Sequence, residues 1–127
     1  MPVDVHVVTP QREIWAGAAE MVIARGVAGE VGILTGHAPL LIQLAIGPLR
    51  IQQEDGRTLR AVVDGGFLHV SSGEEATRVD VMAADAQMED EIDFEAAARA
   101  QQELAARADE GSEDALARAT ARANLRA

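Results

Sequence analysis

Apolar and polar residues alternate with a period of two through much of the first 84 positions of this sequence. At the start of the chain, Val3, Val5 and Val7 alternate with Asp4 and His6. A period of two puts every apolar side chain of an extended segment on the same face. The alternation therefore predicts half-buried antiparallel strands rather than helices.

Turn-forming residues separate the alternating segments that follow. The segments 49–52, 59–63, 68–70 and 77–81 repeat the pattern, and an Asp-Gly pair lies within the turn at 54–57. Asp-Gly tolerates the positive φ angles that tight hairpins require. Short strands joined by such turns, with no helical period between them, predict an all-β sandwich or barrel over residues 1–84.

The composition changes at Asp85 to alanine, glutamate, glutamine and arginine, which is typical of helices. We therefore expect a helical hairpin over residues 85–127, with Asp93 as the N-cap of its first helix. Gly111 is placed to end that helix and Ser112 to cap a second helix from about Glu113. One stripe of the first helix contains Phe94, Ala97, Gln101, Leu104 and Ala108, and one side of the second contains Arg118, Arg122 and Arg126.

The hairpin has few large apolar residues with which to dock. A continuous second helix would put Leu116 and Leu125 on opposite sides, so that only one of them could enter a common interface. Isolated helices shorter than about 12–15 residues are marginal in water. We therefore expect the hairpin to be a conditionally docked appendage that can change partners.

Charge and composition exclude several classes of function. The chain has 21 acidic residues against 11 arginines and no lysine, a net charge of −10, so it would repel nucleic acid. It has no cysteine, which excludes disulfides and thiolate chemistry. Its longest nearly apolar run, Leu40 to Ile46, is too short to cross a bilayer, and the start of the chain has no leader pattern. We expect a cytosolic protein without direct membrane insertion.

No pattern of catalytic residues stands out. The glycines between Arg25 and His37 precede Pro39 and a strand-like segment rather than a helix, so tight turns are a better interpretation than a phosphate loop. The acidic run from Asp85 to Glu95 is most simply a solvated linker and helix amino terminus, with a dedicated binding patch as the alternative.

The three histidines allow one further interpretation, a metal site gathered across strands. His6 and His69 occupy the polar phase of their strands, which favours solvated or hydrogen-bonded side chains instead. His37 lies in a Gly-His-Ala-Pro turn, where a residue is more often functional than in a strand. It is therefore the histidine that we take as a candidate site residue.

The segment from Gly29 to Leu41 resembles a known family. It reads Gly-Glu-Val-Gly-Ile-Leu-Thr-Gly-His-Ala-Pro-Leu-Leu and is similar to a signature of the epsilon (delta) subunits of F-type ATP synthases, from which only Thr35 departs. Further matches follow in order at 47–51, 65–70 and 84–93, so the resemblance covers essentially the whole chain.

This resemblance implies a sandwich of about ten strands with a helical hairpin, in a non-catalytic subunit of the central stalk. Such a subunit binds the gamma subunit, faces the c-ring, couples proton-driven rotation to ATP synthesis and restrains ATP hydrolysis. It lies peripherally on the cytoplasmic side of the bacterial membrane, and its helices can reach the alpha and beta catalytic subunits. Glu30 and His37 match the family's contact loops for gamma and the c-ring, both of which we expect to be exposed.

Some members of the family also bind ATP on the hairpin, through an Ile-Asp-x-x-Arg-Ala motif and two arginines of the second helix. Asp93, Arg118 and Arg122 match that pattern, but Ala96 stands where the motif has arginine. The missing guanidinium removes a charge-assisted phosphate contact, so we expect ATP binding to be weak or absent and no cofactor.

Two other functions remain open at this point. The chain can be a stand-alone β-sandwich module that binds another protein and has a helical tail. It can also be a metal-dependent barrel enzyme that uses its three histidines. Binding to a cognate gamma subunit distinguishes the central-stalk subunit from both of these alternatives. Stoichiometric metal content tests the metal-dependent enzyme.

Overall fold

In the computed structural model, residues 2–73, 76–107 and 113–125 are described, and they form a β-sandwich followed by two helices. The strands are β1 (Val3–Val8), β2 (Glu13–Ala19), β3 (Met21–Gly26), β4 (Gly29–Leu34), β5 (Leu40–Gln52), β6 (Thr58–Asp64), β7 (Gly66–Ser72), β8 (Thr77–Ala83) and β9 (Ala86–Met88). The helices are α1 (Phe94–Arg107) and α2 (Glu113–Ala123). The predicted fold class is confirmed, with nine strands in the described ranges against the expected ten.

The long strand β5 joins the two layers of the sandwich. Its first residues, Leu40–Gln43, pair with β7 in sheet I, whose strand order is β2-β1-β8-β7-β5. Residues Ile46–Gln52 pair with β6 in sheet II, whose order is β4-β3-β5-β6-β9. Among these pairs only β1 with β8 is parallel. One strand therefore contributes to both sheets, which fixes their relative placement.

The alternation in the sequence produces the core as predicted. Val3, Val5 and Val7 of β1 have no exposed surface, and neither do Val79 and Val81 of β8. Side chains of a strand alternate between its two faces, so the polar residues between these valines point away from the core. Both sheets direct their apolar faces inward, and one contiguous cluster of buried residues lies between them.

Two glycines allow turns that the sequence only suggested. Gly56 has a φ of +87° in the turn between β5 and β6, as the Asp-Gly pair indicated. Gly66 has a φ of +103° at the start of β7, and a Cβ built there would lie 2.2 Å from the carbonyl oxygen of Met82. The chain thus reverses between β6 and β7 in a space that excludes any side chain.

The sandwich extends past the predicted boundary at residue 84. Strand β9 pairs with β6, so the sheet continues to Met88. A 3-10 turn over Glu89–Glu91 follows, and its carboxylates reach arginines of the sandwich, with Arg60 3.8 Å from Glu89. The acidic run is therefore not a linker, because β9 and the 3-10 turn occupy much of it, whereas its end is the amino terminus of α1 as predicted and most of its carboxylates are exposed.

The hairpin rests on the outer face of sheet II. Helix α2 packs on β5 and β6, and α1 packs on α2. A small cluster of buried apolar side chains, Val62 of β6 with Ile92 and Leu125, lies at this contact. We call the contact between α2 and sheet II, with β9, the hairpin interface.

Leu125 corrects one expectation about the hairpin. Helix α2 ends at Ala123, and the amide of Leu125 bonds to the carbonyl of Arg122 as the chain turns. Leu125 therefore leaves the helical path and lines the same groove as Leu116. The prediction that the two leucines face opposite sides is wrong, because it extended the helix beyond its end.

The predicted cap of α1 is confirmed. The backbone amide of Ala96 donates to Asp93 Oδ1 at 3.0 Å, so Asp93 satisfies one of the free amides of the first turn. Gly111 and Ser112, and the residues Ala108 and Arg126 of the two stripes, lie outside the described residues. No helix in the described ranges is long and apolar enough to cross a membrane.

Candidate functional site

An ion pair joins the hairpin to the end of β6. Arg118, in the middle of α2, donates from Nε to Asp64 Oδ2 at 2.5 Å. Asp64 is the last residue of β6 and lies on the outer face, two positions after Val62. The side chains are 37% and 24% exposed, so water screens the pair and we estimate its contribution at about 1 kcal/mol.

A second arginine of α2 contacts the added strand β9. Arg122 donates from Nε to Gln87 Oε1 at 3.1 Å. The amide nitrogen of the same glutamine donates to the carbonyl of Glu91 at 3.2 Å. Both ends of the Gln87 amide are thus used, and its orientation is fixed. The two arginines that match the family's nucleotide pattern are both engaged with the sandwich.

A polar pocket of about 490 Å³ opens beside this contact. Asp93, Ala96 and Arg122 line it, together with Arg12 from the turn between β1 and β2. Arg12 donates from Nη2 to Glu91 Oε2 at 2.8 Å. The volume lies in the range of small-molecule sites, roughly 300–1,000 Å³. The pocket can accept a polar ligand only if that ligand competes with these internal contacts.

The structure brings together part of the predicted nucleotide set. Asp93 and Arg122 share the pocket, whereas Arg118 is engaged by Asp64 and does not line it. Asp93 also bonds the amide of Ala96, and so part of its carboxylate is occupied. At Ala96 the pocket wall lacks the guanidinium of the family's motif. Arg12 of the sandwich nevertheless contributes a guanidinium to the same pocket.

Sequence reasoning did not identify Arg12, Asp64 or Gln87 as site residues. Their partners are 79, 54 and 35 positions away along the chain. No local spacing signals a contact over such separations, because it is made only when the hairpin folds back on the sheet. The nearest signal of these contacts in the sequence was the presence of 11 arginines in a strongly acidic chain.

Glu30 lies at the start of β4 rather than in a loop. Its side chain is exposed beside the turn between β3 and β4, where Val27 is 63% exposed. Strand pairing puts Glu30 directly opposite Arg25. An exposed carboxylate next to an exposed apolar residue is a suitable contact for a partner surface, but its location in a loop was wrongly predicted.

His37 lies in a loop that is fixed by hydrogen bonds. Its Nδ1 donates to the carbonyl of Ala38 at 2.7 Å, and its own carbonyl accepts a bond from Ser72 Oγ at 2.6 Å. The preceding amide, of Gly36, donates to the buried hydroxyl of Thr77 at 2.7 Å. The loop is thus attached to the ends of β7 and β8, and the half-buried imidazole is held in place.

Glu30 and His37 do not form one cluster. Glu30 lies near the start of β4, and His37 lies beyond its end. From Glu30 to Leu34 the strand is about 13 Å long at the usual rise per residue. Any surface that contacts both must therefore extend along the strand. The resemblance grouped the two residues, and the structure separates them.

Neither of the two described helices packs on the outer face of sheet I, and this face carries exposed apolar side chains. Phe67 is 48% exposed and pairs in register with Met82, which is 43% exposed, and Leu41 on the adjacent β5 is 63% exposed. Soluble proteins rarely expose several large apolar side chains on one face without a partner. We call Leu41, Phe67 and Met82 the apolar patch of sheet I.

Several polar residues lie beside the patch on this face. His6 and His69 both lie beside Asp80 in the register of β1, β8 and β7. Asp80 accepts hydrogen bonds from Arg78, and this bond and the carboxylate charge raise the pKa of Arg78 above its ordinary value. His37 lies in the loop between β4 and β5 and not with these two histidines. The described residues contain no group of side chains arranged to hold a metal ion.

Comparisons with known proteins agree with this architecture. A family model, described as the beta-sandwich domain of the ATP synthase delta/epsilon chain, matches residues 2–89. The ATP synthase epsilon chain of Thermobifida fusca is 45% identical over 127 residues, which cover 97% of this chain and 89% of the relative. That of Streptomyces avermitilis is 39% identical and covers 100% of this chain and 97% of the relative.

Solved structures give the same result. A chain of the Euglena gracilis mitochondrial ATP synthase, in a structure of its OSCP/F1/c-ring in rotational state 1, is similar with a TM-score of 0.74 and 27% identity. The similarity covers 95% of this chain and 74% of that one. A chain of the Tetrahymena thermophila central stalk and c-ring has a TM-score of 0.53 at 20% identity, over 72% of this chain and 69% of that one, and supports the fold alone.

Proposed function

Because this chain belongs to the delta/epsilon chain family of ATP synthases, we propose that it is the epsilon subunit of an F-type ATP synthase central stalk. In that role it couples proton-driven rotation to ATP synthesis and restrains ATP hydrolysis. The observation that carries the proposal is the extent of the similarity. Relatives named epsilon chain align with both the sandwich and the hairpin, over 97–100% of this chain.

The gamma subunit is the partner that we assign to the sandwich. The apolar patch of sheet I supports this assignment, because sheet II already carries the hairpin on its outer face. Burying Leu41, Phe67 and Met82 against a partner removes apolar surface from water, at roughly 25 cal/mol per Å². The charged row beside the patch can set the orientation of the complex.

We assign the c-ring contacts to Glu30 and His37. The exposed carboxylate of Glu30 can pair with a basic group of a polar loop, and the Nε2 of His37, whose Nδ1 already donates to Ala38, can form a hydrogen bond with the partner. Since these residues are separated by the length of β4, the proposed contact surface runs along that strand.

The hairpin is the part to which we assign control of hydrolysis. When docked, it uses Arg118, Arg122 and Leu125 in contacts with the sandwich. Once released, the same side chains become available to the alpha and beta catalytic subunits. We therefore propose that the docked hairpin permits hydrolysis and that the released hairpin restrains it.

Nucleotide binding in the polar pocket is a weaker part of the proposal. Asp93, Arg118 and Arg122 all have internal partners, so a nucleotide would have to replace contacts already made. With Ala96 in place of the motif's arginine, we propose that ATP binds weakly or not at all in this pocket and that the protein's own contacts are enough for the hairpin to dock. We also propose that the chain contributes no catalytic group and lies peripherally on the cytoplasmic side of the membrane.

Co-purification with the cognate gamma subunit tests the main proposal. The chain and gamma are expressed together, and a one-to-one complex is expected on size-exclusion chromatography at micromolar concentration. Separate elution of two folded proteins at that concentration would contradict the proposal and favour the stand-alone binding module. Restored ATP-driven proton pumping, on adding the chain to membranes that lack this subunit, then distinguishes a coupling role from simple binding.

A further inference from the structure

A second groove, on the other side of α2 from the polar pocket, lies between that helix and strands β3 and β5. It has a volume of about 420 Å³. Ile46, Pro48 and Leu116 contribute apolar walls, and Thr120 and Asn124 contribute a hydroxyl and an amide from the helix. Two guanidinium groups, those of Arg25 and Arg50, complete the lining. We call this the arginine groove.

Strand register places Arg25 and Arg50 on the same face of sheet II. Arg50 pairs with Ile23, which lies two residues before Arg25 on β3, and the register of the two strands shifts at Arg25. Both arginine side chains line the same groove, so their guanidiniums can approach one small ligand. The aliphatic part of the Arg25 side chain packs over Gly47. A Cβ added at Gly47 would lie 3.1 Å from Arg25 Cδ, so the lack of a side chain at Gly47 leaves room for the arginine.

Neither arginine of the groove has an ion-pair partner among the described residues. In the same ranges, Arg12, Arg57, Arg60, Arg78 and Arg118 all lie within 4 Å of a carboxylate. Unpaired cations are unexpected in a chain with a net charge of −10. Two guanidinium groups without a carboxylate within 4 Å therefore share this groove, although Glu30 lies opposite Arg25 on β4 and Glu113 also lines the groove.

Like charges also face each other at this position. Arg50 is directly opposite Arg60 in the pairing of β5 with β6. Like charges directly opposite on neighbouring strands are destabilising. Glu89 lies 3.8 Å from Arg60 and offsets part of this repulsion, and an anion bound in the groove would offset it further from the side of Arg50.

We propose that the arginine groove binds a small phosphate-bearing anion. Guanidinium forks match phosphate oxygens in geometry and charge, and the hydroxyl of Thr120 and amide of Asn124 can donate to the remaining oxygens. The site is distinct from the polar pocket, which is lined by other arginines. Both guanidiniums are exposed, so binding is weak and decreases with salt.

Binding there has a consequence for the hairpin. A ligand in the groove contacts α2 and sheet II at the same time, and it therefore binds the docked hairpin in preference to a released one. By linkage, such a ligand stabilises docking according to its concentration relative to its Kd. The arginine groove would thus make hairpin docking sensitive to a phosphate-bearing solute.

Titration of the full chain with inorganic pyrophosphate, followed by NMR of the backbone amides, tests the proposal. We expect saturable shifts at Ile46, Arg50, Leu116 and Thr120. Arg25→Gln and Arg50→Gln should each raise the Kd about tenfold, which corresponds to the loss of one charge-assisted contact. Absence of saturable shifts at these amides would overturn the proposal.

Three control variants make the test specific. Arg57→Gln removes an equal charge in the turn between β5 and β6 and should leave the Kd within a factor of about two, since that residue is exposed and does not line the groove. Glu113→Gln removes the carboxylate that lines the groove among the described residues and should tighten binding. If Arg122→Gln abolishes binding and Arg25→Gln does not, the ligand occupies the polar pocket and the proposal is wrong.

Discussion

Arg118 of α2 and Asp64 of β6 lie 54 residues apart in the chain and are joined by a 2.5 Å hydrogen bond between Nε and Oδ2. This contact is shorter than the 3.1 Å bond from Arg122 to Gln87, which also joins the hairpin to the sandwich. It stands next to the buried cluster of Val62, Ile92 and Leu125, and so polar and apolar contacts act at the same place. Together with the bond from Arg122 to Gln87 of β9, these contacts hold the docked hairpin on sheet II.

Removing the charge of Asp64 should release the hairpin more often. Asp64→Asn keeps the size of the side chain but loses the ion pair, for which we expect about 1 kcal/mol, or a fivefold rise in the open population. Hydrogen exchange of the α2 amides should accelerate by that factor, while exchange in β1 and β8 stays unchanged.

Two further variants make this measurement specific. Asp55→Asn, which breaks an exposed contact in the turn between β5 and β6, is the matched control and should not affect α2. The charge swap Asp64→Arg with Arg118→Asp should restore part of the protection. Unaltered exchange of α2 in Asp64→Asn would show that the ion pair does not hold the hairpin.

The apolar patch of sheet I should determine affinity for gamma. Phe67→Ser removes apolar contact area at a side chain that is already 48% exposed, so the melting temperature should change little. We expect the Kd for gamma to rise at least about tenfold, as for a central aromatic side chain of an interface. Val27→Ser, at a similarly exposed valine of another surface, is the control, and an equal loss of affinity in both variants would refute the assignment.

Glu30 and His37 should affect coupling more than stability. Glu30→Gln and His37→Ala change side chains outside the main core, so each should lower the free energy of unfolding by less than about 1 kcal/mol. Proton pumping per ATP hydrolysed should fall in membranes reconstituted with either variant. A large fall in melting temperature with normal pumping would instead identify the residue as structural.

Deleting Asp90 to Ala127 should raise ATP hydrolysis by the assembled enzyme. The deletion keeps β9, which ends at Met88, so the sandwich should still fold and bind gamma. It removes the part of the chain that we propose to restrain hydrolysis. An unchanged rate in complexes that contain the shortened chain would show that the hairpin has no such effect in this enzyme.

Gly66 should be the least replaceable glycine at a turn of the sandwich. In Gly66→Ala the new Cβ meets the carbonyl of Met82 at a positive φ, and we expect a loss of several kcal/mol, or failure to fold. Gly56→Ala has a similar φ but open space, and should cost only about 1 kcal/mol. Equal melting temperatures of the two variants would contradict the steric explanation.

The order of strands and helices was largely readable from local patterns. The alternation around Val3, Val5 and Val7, the Asp-Gly turn and the cap at Asp93 each depend on neighbouring residues, and each was confirmed. The predictions that failed depended on where a helix or the sandwich ends. Leu125 was placed on a helix that stops at Ala123, and the sandwich was ended before β9.

The sequence by itself determined the sandwich, the hairpin and the family signature, because periodicity, turn chemistry and a contiguous motif are local properties of a chain. Only the tertiary structure decided what the arginines do. It paired Arg118 with Asp64, brought Arg12 into the polar pocket and left Arg25 and Arg50 together in a groove. Such contacts depend on how β5 passes between the sheets and how α2 folds back, and neither is encoded in the spacing of the residues themselves.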